Sequence, residues 1–141
     1  MTRMYTYIRI DPDCYLDAEK FILELKDKGF NAKKNRIFIE EVKAKTSIKL
    51  RHKFMAILIY ALDENDILIV KSLNCLGNSI YEIINIINKL DEMKIKLIIL
   101  DYLNIGVTVE LRKFLKLFFE FQKKIEYQSE VKRSVEKSGT S

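Results

Sequence analysis

The residues able to do chemistry in this sequence are few and sit at the ends of apolar segments. Tyr7, Arg9 and Asp11 occupy alternate positions at the end of the run Met4–Ile10. Side chains alternate along a strand, so the three share one face, with a guanidinium beside a carboxylate at the strand end. Arg9 and Asp11 are expected either to pair there or to stand separately in solvent. A second group, Lys43, Lys45, Lys49, Arg51 and Lys53, suits contact with a phosphate backbone, which requires only positive charge. No histidine-and-arginine set accompanies Tyr7 as a nucleophile, so Tyr7 reads as core, and Ser47 and Ser72 read as loop residues. His52, the only histidine, has basic neighbours and reads as a surface residue at a helix start rather than a metal ligand. Cys14 and Cys75 match no metal-ligand spacing and are expected to be reduced thiols; Cys75 would be reactive only in an electropositive setting. No metal and no cofactor are expected.

The elements that must position these groups follow from the periodicity. Met4–Ile10, Arg36–Glu40, Asp66–Val70 and Lys96–Leu100 are short runs rich in β-branched residues and read as strands. Asp66–Val70 is apolar almost throughout, as in a central parallel strand covered on both faces. Between the strands lie three helical patterns. The first carries Leu16, Phe21 and Leu25, with Asp13 or Asp17 as its cap and Gly29 as its stop. The second carries Phe54, Ile57, Leu58 and Ala61. The third carries Ile80, Ile83, Ile84, Ile87 and Leu90 and opens after Leu76-Gly77. Alternation of this kind implies right-handed crossovers, and the expected fold is a three-layer α/β domain with a mostly parallel sheet of four or five strands.

From Val107 to Lys137 no proline or glycine intervenes, and Leu111, Phe114, Phe118, Phe121 and Ile125 recur at steps of three and four. A helix of roughly 30 residues spans about 45 Å, more than a small domain covers. Its far half therefore calls for a partner, and a second copy is the simplest one. The expected organisation is a domain over 1–105, a dimerisation helix over 106–137 and a disordered tail over 138–141. Lys123, Lys124, Lys132 and Arg133 are interleaved with Glu126, Glu130 and Glu136, a pattern that exposed i, i+4 pairs explain without a polyanion.

Three segments carry a family resemblance. Tyr7-Ile8-Arg9-Ile10-Asp11 resembles the first-strand motif of serine recombinases, tyrosine-x-arginine-valine-serine. Val70-Lys71-Ser72-Leu73-Asn74-Cys75-Leu76-Gly77-Asn78 is similar to valine-x-x-leucine-aspartate-arginine-leucine-glycine-arginine. Arg51-His52-Lys53-Phe54 stands where the family has arginine-proline-x-leucine. The chain thus resembles the catalytic domain of the resolvase/invertase family. In that family a serine attacks a DNA phosphodiester, arginines neutralise the charge that develops, and the long helix forms a dimer.

Carried over position by position, the resemblance implies a degenerate site of Arg9, Asp11, Arg51, Asn74, Cys75 and Asn78. Asp11 stands at the nucleophile position, Asn74 replaces the aspartate, and Cys75 and Asn78 replace arginines. A carboxylate about 4 Å from a phosphodiester is repelled by roughly 1 kcal/mol in water and about 4 kcal/mol at a protein surface. The resemblance therefore implies a homologue without cleavage, a homodimer that contacts DNA or pairs with an active recombinase. An active recombinase with a rearranged site, and a protein-interaction module or relic of a mobile element, stand as alternatives. The family places a helix-turn-helix domain after the long helix, and this sequence ends first, so site-specific reading of DNA is not expected of it.

The 141 residues carry 25 lysines and arginines against 20 acidic residues, a net charge of +5 that suits a polyanionic partner and equally a solvated lysine surface. The first residues lack the apolar core of a signal peptide, and no apolar run reaches membrane-spanning length. A soluble, cytoplasmic protein is expected.

Overall fold

The computed structural model describes residues 2–102 and, within a helical segment, residues 116–118, 120, 121 and 124. The chain divides into two compact units, Met1–Val107 and Thr108–Ser141. In the first, four strands, β1 (Met4–Ile10), β2 (Ile37–Glu41), β3 (Ile67–Val70) and β4 (Lys96–Ile99), form one sheet in the order β2-β1-β3-β4. Every pairing is parallel, with Ile8 opposite Ile39, Thr6 opposite Ile69 and Ile69 opposite Ile98. Each strand lies within a residue or two of its expected range. Arg36 falls in a short 3-10 turn before β2, and Leu100 in one after β4. Asp66 stands one residue before β3, its carbonyl accepting from Lys96 N–H at 2.9 Å, and its buried carboxylate accepts from the backbone N–H of Arg3 at 3.0 Å and of Asp63 at 2.8 Å.

Helix α1 (Tyr15–Asp27) packs Ala18, Phe21 and Leu25 against Ile8, Ile10 and Ile69. Burying a Phe or Leu of this size contributes about 1.5–3 kcal/mol, so this seam fixes one layer. Leu16, expected on the same stripe, is 70% exposed. Neither Asp13 nor Asp17 caps the helix. Cys14 is the N-cap and makes no side-chain bond, while Asp17 lies in the first turn, where its charge suits the macrodipole. Asp13 instead adopts φ +66°, and its N–H donates to Glu41 Oε1 at 2.8 Å. The C-terminus is a Schellman motif: Phe30 N–H donates to Leu25 O and Gly29 N–H to Lys26 O, with Gly29 at φ +84°.

The opposite face of β1 carries Tyr7, whose ring meets Phe54 edge-on at 5.1 Å. Phe54 belongs to α2 (His52–Ala56), which continues as a π-helical turn over Ile57–Ala61 closed by Leu62 N–H to Ile57 O at 3.0 Å. Phe54, Ile57 and Leu58 are buried as their spacing requires. Helix α3 (Ile80–Glu92) buries Ile84, Ile86, Ile87 and Leu90, while Ile80 and Ile83 are half-buried. Right-handed crossovers place α1 on one face and α2 with α3 on the other, giving three layers. The chain reverses its direction of travel between β1 and β3, and in such sheets the carboxyl ends of the two strands at the reversal form a crevice.

In the second unit Leu117, Phe118 and Phe121 lie on helix and are exposed. Leu111, Phe114 and Ile125 of the expected stripe, the rest of the long helix and the tail lie outside the described residues.

Gly77 sits where a Cβ would lie 2.5 Å from Glu82 Cβ and 3.1 Å from Ile83 N. Gly77→Ala therefore forces α3 to shift and should cost about 1–3 kcal/mol, read as a lower midpoint in urea unfolding.

Candidate functional site

The polar residues gather at the carboxyl ends of β1 and β3. Arg9 extends from β1 with its side chain 11% exposed, and its Nη1 donates to Asp11 Oδ1 at 2.8 Å and to Val42 O at 2.9 Å. Its Nε is buried without a hydrogen-bond partner. Asp11 lies beyond the strand end, 61% exposed. Of the two arrangements open from the sequence, the paired one is present.

Two positions before Arg9, Tyr7 is fully buried and donates its phenol to Glu40 Oε1 at 2.8 Å. Burial, and then that bond, push the phenol well above its ordinary pKa, so it stays neutral and a donor. Glu40 is itself buried and also accepts from the backbone N–H of Lys53 at 2.8 Å and of Phe54 at 3.3 Å. It thereby satisfies two free donors at the start of α2. Glu40 was not singled out from the sequence. Its signal is a carboxylate at the end of the apolar run Ile37-Phe38-Ile39, on the face opposite to that of Glu41.

Arg51 is the largest fully buried side chain among the described residues. Its guanidinium donates through Nε to Thr46 O at 3.1 Å, through Nη1 to Asn74 O at 2.8 Å and through Nη2 to Ala44 O at 3.0 Å. A planar fork with fixed donor directions can hold three carbonyls in this way, and a single ammonium cannot. In this arrangement Arg51 offers no donor face to a phosphate in solvent. That departs from its placement among the DNA-contacting cations, and the cause is the inward turn of residues 44–46 over the guanidinium.

Around it stand the other residues of the expected site. Asn74 is exposed and accepts from Ser72 Oγ at 2.7 Å. Cys75 is buried, with Sγ 3.8 Å from Asn74 Oδ1. Asn78 donates through Nδ2 to Lys45 O at 2.9 Å. Lys43, Lys45 and Lys49 are exposed and, among the described residues, have no acidic partner within ion-pair distance. Lys53 is exposed but donates to Ile39 O at 2.6 Å. His52 is exposed at the start of α2.

A carboxylate missed in the sequence closes the cluster. Glu82 accepts from Ser47 Oγ at 2.7 Å, from Ile48 N–H at 2.9 Å and from Asn78 N–H at 2.9 Å. Burial raises its pKa, but these bonds and the Arg51 charge outweigh burial and hold it below the ordinary value. Its signal was Ser79-x-x-Glu82, a capping-box pattern. Ser79 does cap α3, accepting from Glu82 N–H at 3.2 Å.

On the α1 side of the strand ends lies a cavity of about 340 Å³ with Ile8, Ile10 and Phe21 in its wall and Lys20, Glu24 and Lys71 among its polar lining. Lys71 pairs with Glu24 at 2.9 Å and Asp101 at 3.2 Å, and Glu24 also pairs with Lys28 at 3.0 Å. The bonds from Lys71 and Lys28 lower the Glu24 pKa. Among the described residues no cluster of three histidines, cysteines or carboxylates is placed to hold a metal ion, and no helix is long and apolar enough to cross a membrane.

This three-layer sheet, with polar loops meeting at its switch point, has counterparts among known proteins. The family described as "Resolvase, N terminal domain" matches residues 18–140. The chain belongs to that family, the catalytic domains of serine recombinases. The matched span begins inside α1, so Tyr7–Asp11 lies ahead of it. Among solved structures, the N-terminal catalytic domain of TP901-1 integrase superposes with a TM-score of 0.67 at 15% identity, covering 89% of this chain and 100% of that one. At that identity the likeness is one of fold. No curated protein matches the chain.

Two measurements test this geometry. Arg51→Met leaves three buried carbonyls without a donor and should cost about 2–5 kcal/mol in denaturant unfolding, with Arg51→Lys close behind it. Glu24 and Glu82, whose pKa values are lowered on folding, add stability that is complete above the unfolded glutamate value of about 4.3 and disappears as pH falls through their folded values. Thermal melts should therefore fall steeply below about pH 4, and less steeply in Glu82→Gln.

Proposed function

We propose that this resolvase-family domain does not cleave DNA and acts as a DNA-associated, dimeric homologue that modulates an active recombinase. The observation that carries this reading is the state of the two retained arginines. Arg9 is paired with Asp11, and Arg51 is bonded to three carbonyls. Transition-state stabilisation of a phosphoryl centre needs donors aimed at the charge that develops. Here one guanidinium faces a carboxylate and the other faces the chain itself. The hydroxyls nearby do not replace the nucleophile: Ser47 donates to Glu82, whose carboxylate is held below its ordinary pKa, against burial, by its bonds to Asn78, Ser47 and Ile48, and Ser72 donates to the amide oxygen of Asn74, which is no base.

Contact with DNA falls to Lys43, Lys45 and Lys49, whose exposed ammoniums lack acidic partners among the described residues. Lys53 joins them if its bond to Ile39 O opens on binding. Self-association, or pairing with an active relative, falls to the stripe Leu111, Phe114, Phe118, Phe121 and Ile125, of which Phe118 and Phe121 are exposed.

Supercoiled plasmid carrying a recombinase site should be neither nicked nor covalently captured by the purified protein; a protein-linked 5′ end would overturn the reading. In fluorescence anisotropy a labelled duplex should bind with three phosphates neutralised by each protomer. For one protomer that gives a slope of about −2.7 in log K against log salt, a loss of roughly 40-fold between 50 and 200 mM.

A further inference from the structure

The loop that carries Lys43, Lys45 and Lys49 is tied at every residue from 44 to 48. Ala44 O and Thr46 O accept from Arg51, Lys45 O accepts from Asn78 Nδ2, and Ser47 Oγ and Ile48 N–H donate to Glu82. The same three side chains also grip the loop after β3: Arg51 donates to Asn74 O, Asn78 belongs to that loop, and Glu82 accepts from Asn78 N–H. In a capping box the glutamate at this helix position turns back to the N–H of the capping residue. Glu82 instead reaches past Ser79 to Asn78 and across to Ser47 and Ile48. The close approach of Gly77 to Glu82 Cβ leaves room for this path.

From this double clamp we infer that Glu82 and Asn78, with Arg51, are positioning residues that hold Lys43, Lys45 and Lys49 in one preformed array for a nucleic-acid backbone. Ordering a free loop at the moment of binding subtracts from affinity, and a loop already ordered avoids that loss. The acidic member of the clamp faces backbone and hydroxyl donors, so it neutralises none of the three lysines. The inference rests on the DNA-contact reading above and adds to it the residues that set the shape of the contact surface.

The sign of one substitution separates positioning from charge. Glu82→Gln removes a negative charge near the basic loop, and electrostatics alone would then tighten binding to DNA. Loss of the clamp acts the other way. A random-sequence 30-base-pair duplex, followed by anisotropy at fixed salt and neutral pH, should bind Glu82→Gln about 3- to 10-fold more weakly than wild type. The salt slope should stay close to that of wild type, since the same lysines engage in the end. Hydrogen exchange at the Ile48 and Asn78 amides should rise in the variant while the amides of β1 and β3 stay protected. Asn78→Ala, at an exposed position, releases Lys45 O without touching the core and should weaken binding in the same direction if Glu82→Gln does not fold. Equal or tighter binding by the folded variants, with exchange at Ile48 raised, would overturn the positioning role and leave the DNA reading intact. A wild-type protein that binds no duplex at low salt would overturn both.

Discussion

A guanidinium enclosed by protein is costly unless acceptors take up its donors, and in this chain Arg51 places three of its five N–H groups on backbone carbonyls. The carbonyls of Ala44, Thr46 and Asn74 converge on it from two loops distant in sequence. Once they do, the loop before α2 has a fixed path, the turn after β3 has a fixed depth, and Glu82 finds donors from both within reach. Removing the charge would free three carbonyls and two loops together. The arrangement of polar residues at the carboxyl edge of the sheet is therefore a consequence of one desolvated cation more than of any local loop preference.

That edge divides into two parts of different character. At the end of β1, Arg9 and Asp11 form a shallow ion pair whose carboxylate is largely in solvent, with Arg9 also fastened to Val42 O. Its stabilisation is modest and sensitive to salt. Beneath it, Tyr7 and Glu40 make a buried hydrogen bond that joins β1 and β2 to the start of α2. The upper part can rearrange at small cost, and the lower part cannot.

Strands and layers were legible because continuous apolar runs bounded by Pro12, Gly29 and polar loops leave few other readings. The ends of elements were less so. Asp13 was a reasonable cap by residue type, but Glu41 from the neighbouring strand takes its N–H, and only the register of β2 reveals that. Strand alternation placed Arg9 and Asp11 on one face but left open whether they pair, and the contact with Val42 O that holds Arg9 beside Asp11 is not written in that alternation. The burial of Arg51 was hidden: a cation among lysines reads as solvated until the chain is folded around it. Glu82 announced half of its role through Ser79, and the other half crosses to Ser47 and Ile48, a contact that periodicity does not encode.

The order of the strands bears on how the chain reaches this state. β1 is made first and ends up inside the sheet, with Met4 beside Ile67 and Thr6 beside Ile37. Parallel neighbours cannot form from a tight hairpin, so each of these pairings closes a long loop before it returns any contact. During synthesis β1 can pair with β2 first, but its other edge must wait, apolar and open, until β3 has left the ribosome. Folding of this domain should be slow for its size, and its most exposed moment comes while only half of the sheet exists.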